Sequence, residues 1–145
     1  MLGNMGKIYF LYQIERWFFE HHFYFFATII KHFIRLAYSC EIPYKARIGK
    51  GTSFPHAALG VVINEEAVIG ENCKILHGVT IGGRGGKGRV GAPLIGNNVL
   101  IGCHAQILGP IKIGDNVVIG GGTIVIKDVP DNCTVVGNPA RIISD

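Results

Sequence analysis

Two histidines 21 residues apart, His56 and His77, are the side chains with most to offer chemically. A neutral imidazole can take a proton from a hydroxyl near pH 7 and return it within one reaction. After them comes Gly82-Gly83-Arg84-Gly85-Gly86-Lys87-Gly88-Arg89-Val90-Gly91-Ala92, a glycine-rich stretch with three cations, suited to meeting an anion. It lacks the GxxxxGK[ST] pattern of a nucleotide P-loop. Cys40, Cys73, Cys103 and Cys133 form no CxxC or closely spaced pair, so they read as reduced thiols rather than as a disulfide framework.

Composition limits what can position these groups. With 145 residues, 48% apolar and 17% charged, and a mean hydropathy of +0.34, the chain is one folded domain's worth and not a disordered one. The longest apolar run, residues 23–30, stops at Lys31, far short of the roughly 18 residues a membrane span needs. The first residues lack a secretory pattern, so a cytoplasmic location is expected. The net charge of +4 suits an anionic partner. The cations are scattered or confined to one loop, which argues against nucleic acid. Glycine, at 21 residues, is about twice its usual share of roughly 7%.

The glycines belong to a repeat. Aliphatic residues recur every six positions at Ile63, Ile69, Ile75 and Ile81, and again at Ile95, Ile101, Ile107, Ile113, Ile119 and Val125. Gly follows at 49, 70, 82, 96, 102, 114 and 120. A period of six is neither helical nor a simple alternation. It fits a short strand plus a corner: the aliphatic enters a shared interior, and Gly is expected to take the corner's backbone angles. Three such sides close a coil of 18 residues, and stacked coils make a parallel β-helix in which equivalent positions form columns.

Breaks in the repeat are where loops and function belong. Phe54 to Ile63 is nine, leaving three extra residues beside His56, and Ile81 to Ile95 is fourteen, leaving eight extra in the glycine-rich loop. Counting by coils puts Phe54, Ile75, Ile101 and Ile119 on one column, and two residues further on His56, His77, Cys103 and Gly121. Two histidines followed by small residues describe a groove for a long, thin molecule. His104, one residue off this column, is expected to face solvent. Residues 1–40, with aromatics interleaved by polar residues, read as a helical cap (one long or two short helices) whose aromatic face packs on the open end of the β-helix. Residues 41–145, with a loop at 82–94, form the β-helix domain.

Several stretches carry a resemblance: Glu41-Ile42-Pro43-Tyr44-Lys45-Ala46-Arg47-Ile48-Gly49, Pro55-His56-Ala57, Val79-Thr80-Ile81-Gly82-Gly83, Ile107-Leu108-Gly109 and Val136-Gly137-Asn138-Pro139-Ala140-Arg141. Together they resemble the serine acetyltransferase family of hexapeptide-repeat acyltransferases. The resemblance implies the left-handed sense of the β-helix and a mainly β fold behind the helical segment. It also implies acetyl-CoA-dependent transfer of an acetyl group to a hydroxyl of serine or of a sugar. His56 takes the position of the catalytic base, and Glu41 that of its carboxylate partner, where the family has Asp. Gly82, Gly83, Cys103 and Gly121 fall where coenzyme A is bound, with Lys127 and Arg141 able to meet its phosphates. His77 and Arg89 are the expected substrate-side residues. Acetyl-CoA is a co-substrate here, no metal is expected, a homotrimer is implied, and membrane association is not expected.

Two stretches depart from the family. Gly91-Ala92-Pro93 stands where Arg-His-Pro grips the serine carboxylate, and Pro55 stands where an Asp holds the ammonium. Short relatives of this kind look like enzymes of surface-polysaccharide synthesis, so a sugar O-acetyltransferase without serine activity is one alternative. A non-catalytic β-helix binding protein is the other.

Overall fold

A computed structural model describes residues 6–85 and 90–144 of the chain. Two helices, α1 (Lys7–Glu20) and α2 (Tyr24–Tyr38), form a hairpin that ends at Ser39 in a left-handed conformation. Strands of two to four residues follow: β1 (Arg47–Ile48), β2 (Val62–Ile63), β3 (Val68–Ile69), β4 (Lys74–Ile75), β5 (Thr80–Gly82), β6 (Leu94–Ile95) and β7 (Leu100–Ile101). The series continues with β8 (Gln106–Leu108), β9 (Lys112–Ile113), β10 (Val118–Ile119), β11 (Ile124–Val125), β12 (Thr134–Val136) and β13 (Arg141–Ser144).

The strands build three parallel faces. One runs β1-β3-β6-β9, the second β4-β7-β10-β12 and the third β2-β5-β8-β11, while β13 closes the second face as an antiparallel edge. The fold is a left-handed parallel β-helix. The register puts Ile75 on Ile101 on Ile119, and Ile63 on Ile81 on Ile107, each buried in the core. Such burial stabilises by roughly 1.5–3 kcal/mol per side chain, so Ile101→Ala should cost about 2–5 kcal/mol.

The corners differ from the sequence expectation. The glycine after each aliphatic has no positive φ. Positive φ falls instead three residues past the aliphatic, on Asn72, Asn98, Asn116 and Asn132, whose short polar side chains tolerate the left-handed region, and on Gly51, Gly78, Gly122 and His104. Asn98 Nδ2 donates to Asn116 Oδ1 at 3.2 Å and Asn116 Nδ2 to Asn132 Oδ1 at 3.0 Å, a ladder along one corner. Glycine is required for closeness: a Cβ on Gly49 would lie 2.6 Å from the Gly70 carbonyl carbon.

The helical hairpin divides in two. From α1, Ile8, Tyr9 and Tyr12 are buried against the first coil, where Tyr12 Oη donates to the Ala46 carbonyl at 2.6 Å. Arg16 Nη1 donates to the Tyr44 and Ala46 carbonyls at 3.1 and 2.9 Å. This half packs on the first coil of the β-helix. The other aromatics do not: Trp17, Phe23, Phe25, Phe26 and Phe33 are exposed. Glu15 is fully buried with neither carboxylate oxygen bonded among the described residues, and burial pushes its pKa up to about 8. The same burial, with Glu15 nearby, pushes the Cys40 thiol up to about 11.

Candidate active site

The three-residue insertion is visible as a change of register. Ser53 pairs with Lys74, an offset of 21, whereas Val62 pairs with Thr80, an offset of 18. The extra residues are absorbed in a tight turn at Pro55–Ala58, where His56, Ala57 and Ala58 have φ of 55°, 53° and 56°. Each left-handed L-residue costs roughly 1–2 kcal/mol. Three in succession persist only because the surroundings hold them. Ala58 is fully buried, Leu59 N donates to the His56 carbonyl at 3.2 Å, Val61 N to Ala58 O at 2.9 Å, and Gly60 N to Ser39 O at 2.9 Å. The result is an exposed imidazole on a constrained backbone at the corner between the second and third faces.

His77 lies one coil further along, its ring 5.2 Å from that of His56 at an interplanar angle of 87°. His104 continues the series at 5.1 Å and 86° from His77. The three rings therefore run edge to face along the corner. His77 Nδ1 is buried and has no hydrogen-bond partner among the described residues. His104, expected to face solvent, is exposed, and its ring also joins the ladder for a local reason. The corner residue there is Gly78, with φ +69°, and a Cβ at that position would collide with the His104 ring. The signal that could have found it was the glycine one coil back. Among the described residues, no three His, Cys, Asp or Glu side chains form a set able to hold a metal ion.

Below His77 the column is small, as its spacing suggested. Cys103 is half-buried, and a Cβ on Gly121 would sit 3.4 Å from its Sγ. Gly82 and Gly83 lie elsewhere: Gly82 ends β5, a full face width past His77, and Gly83 lies under the Gly91 carbonyl. Gly82 shares a cleft of about 300 Å³ on the third face with Glu41, Lys31, Asn64 and Thr80. Lys127 and Arg141 line a second cleft, about 610 Å³, at the C-terminal end, with Val125, Val135, Pro139 and Ile142 supplying apolar wall. Lys87 and Arg89 lie outside the described residues.

Glu41 is tied to the same part of the fold as His56. Its N–H donates to the Val61 carbonyl at 2.8 Å, and its carbonyl accepts from Ile63 N at 2.9 Å. Its carboxylate Oε2 accepts from Arg35 Nη1 at 2.9 Å. Among the described residues no hydrogen bond joins Glu41 to His56. This arginine partner had no signal in the spacing.

Six-residue repeats wound on a three-faced coil define the class: a hexapeptide-repeat β-helix protein. A family profile described as bacterial transferase hexapeptide (six repeats) matches residues 92–127. A serine acetyltransferase of Helicobacter pylori strain 26695 is 38% identical over 133 residues, covering 92% of this chain and 77% of that protein. The serine acetyltransferase of Synechococcus elongatus is 41% identical over 132 residues, covering 91% of this chain and 54% of that protein. The crystal structure of the Brucella abortus serine acetyltransferase in complex with coenzyme A superposes with a TM-score of 0.87 at 39% identity, over 93% of this chain and 54% of that one. The chain belongs to the serine acetyltransferase family. It spans little more than half the length of several relatives it matches.

Proposed function

We propose that this chain transfers an acetyl group from acetyl-CoA to a hydroxyl, with His56 as general base and Glu41 as the carboxylate that orients it. The observation that carries this reading is the run of left-handed residues at His56, Ala57 and Ala58 in a member of this family. Backbone strain held by surrounding structure clusters where geometry is functional.

An alcohol is a poor nucleophile until its proton leaves. The neutral His56 imidazole takes that proton as the acceptor oxygen bonds to the thioester carbonyl carbon. The tetrahedral oxyanion needs donors, and the backbone N–H groups around Gly82 and Gly83 are suited to supply them. Collapse breaks the carbon–sulfur bond, and the thiolate recovers the proton from the imidazolium. The products are an O-acetyl ester and free coenzyme A. Glu41 stabilises the imidazolium and fixes the tautomer, which requires its carboxylate to turn from Arg35 or to bridge both groups. His77 backs His56 from the next coil.

Cys103 and Gly121 supply the small wall a pantetheine arm needs. Lys127 and Arg141 supply cations beside an apolar cleft, suited to the phosphates and the adenine. The His56 corner and the Gly82 cleft are a face apart in one subunit, which favours a homotrimer with the site between neighbours. Four free cysteines favour a reducing compartment such as the cytoplasm. Serine is the acceptor that the relatives' names suggest. A sugar hydroxyl is the second reading, favoured by Pro55 and by Gly91-Ala92-Pro93. Free-thiol release from acetyl-CoA, measured with serine, homoserine, nucleotide sugars and simple glycosides in turn, tests both. Turnover with one acceptor is expected, and none with any would remove the reading.

A further inference from the structure

The cleft of about 300 Å³ beside Glu41 carries an uneven set of charges. Among the described residues, three ionisable side chains line it: Lys31 from α2, Glu41, and Glu65 from the turn after β2. Both carboxylates are already held. Arg35 Nη1 donates to Glu41 Oε2 at 2.9 Å, and Lys45 Nζ lies 3.2 Å from Glu65 Oε2. Lys31 has no such partner: among the described residues, no carboxylate lies within ion-pair distance of its ammonium. Lys31 follows Ala27 by four residues and precedes Ile34 by three, so it shares the side of α2 that is buried, and it is itself half-buried. Its Nζ lies over the Tyr44 ring, 6.0 Å from the centroid, a contact that helps hold it in place.

Glu15, the acid on α1 that feels Lys31, does not cancel its charge. Burial pushes the Glu15 pKa up to about 8, so this carboxyl is mostly protonated at neutral pH. A partly desolvated cation without a counter-charge is costly, and an anionic ligand removes that cost. The neutral groups of the cleft suit a hydroxylated compound. Asn64 Oδ1 accepts from Glu66 N at 2.9 Å, which leaves its Nδ2 as a donor, and Thr80 adds a hydroxyl. Glu41 links this cleft to the His56 turn. A second cleft, of about 240 Å³, shares Glu41 and Val62 and reaches Ser39, whose carbonyl accepts from Gly60 N at 2.9 Å.

We propose that Lys31 selects the acceptor: its ammonium pairs with an anionic group, a carboxylate or a phosphate, on the molecule whose hydroxyl is acetylated. This rests on the acetyl-transfer reading and deepens it by giving the acceptor a charge. Serine meets the requirement through its carboxylate, and a sugar meets it only as a uronate or a phosphate ester. The test is free-thiol release by the full chain with acceptors that differ in one charge: serine against serinamide, glycerate against glycerol, and methyl glucuronide against methyl glucoside. Glycerol phosphate against glycerate tells phosphate from carboxylate. The anionic member of each pair should have the higher kcat/KM, by roughly tenfold or more. Lys31→Gln should erase that preference by raising KM for the anionic acceptor while KM for acetyl-CoA stays level, and Lys31→Arg should restore most of it. Equal kcat/KM within the pairs, a preference that survives Lys31→Gln, or an equal loss with charged and neutral acceptors would overturn the assignment while leaving acetyl transfer standing. Turnover with no acceptor would remove the acetyl-transfer reading and this assignment with it.

Discussion

His104 rests its imidazole against the bare Cα of Gly78 and meets the His77 ring edge to face, with centroids 5.1 Å apart. A glycine on one coil thus makes room for a histidine on the next, and that histidine buttresses the one beside His56. Gly78→Ala should break the arrangement. Its Cβ needs the space of the ring, and φ of +69° disfavours any side chain, so a loss of about 1–2 kcal/mol is expected. His104→Asn should keep the fold, since Asn tolerates a left-handed corner. If the ladder orients His56, His77→Ala lowers kcat about tenfold or more with little change in KM for acetyl-CoA. Thermal unfolding and steady-state kinetics on the three variants separate packing from orientation.

Ala57 shares the left-handed run with His56 and carries only a methyl side chain. Ala57→Gly relieves its strain while loosening the turn. Stability should stay level or rise by up to about 1 kcal/mol, and kcat should fall about tenfold as the imidazole loses its fixed direction. A variant both less stable and equally active would show that the strain does not serve catalysis. Calorimetry and kcat on one preparation decide it.

Glu15 sets a pH dependence of stability. Its pKa rises to about 8 in the folded chain from an ordinary value of 4.5. Between those values the folded state holds a proton that the unfolded state has lost. Stability therefore falls as pH rises, by ~1.4 kcal/mol per pH unit for this one group, and levels off above pH 8. Glu15→Gln should flatten that slope and raise stability at pH 7.5. Denaturant unfolding of both proteins from pH 5 to pH 9 checks it, and identical slopes would contradict the buried acid.

Glu41 has two claims on its carboxylate. With Arg35 at 2.9 Å, Glu41→Gln should leave the fold intact because both residues have exposed surface. If Glu41 orients His56, loss of its charge should lower kcat by roughly 10²–10⁴-fold. Arg35→Gln frees the carboxylate and should change kcat far less. Equal losses in both variants would mean that the ion pair, not the carboxylate alone, is what matters.

The fold was legible in the sequence because its period is a physical repeat. A buried isoleucine every six residues dictates three faces, and the offsets of 21 and 18 around His56 reproduce the counted insertion. The column from His56 through His77 to Cys103 and Gly121 followed from the same count. Three features did not. The corner angle went to the residue three past the aliphatic, Asn or Gly, while the glycine next to the aliphatic serves close stacking. His104 joined the ladder through the missing side chain of Gly78, a contact between coils that spacing along one chain does not reveal. The aromatic segment served two surfaces at once: Tyr9 and Tyr12 seal the coil, while Phe25 and Phe33 face away from it, and composition alone cannot divide them.

The most direct measurement is free-thiol release by His56→Asn, a substitution that fits the left-handed turn, with coenzyme A affinity determined on the same protein. A fall in kcat of roughly 10²–10⁴-fold at unchanged affinity is the result expected of a lost general base. Undiminished turnover would contradict the assignment of His56.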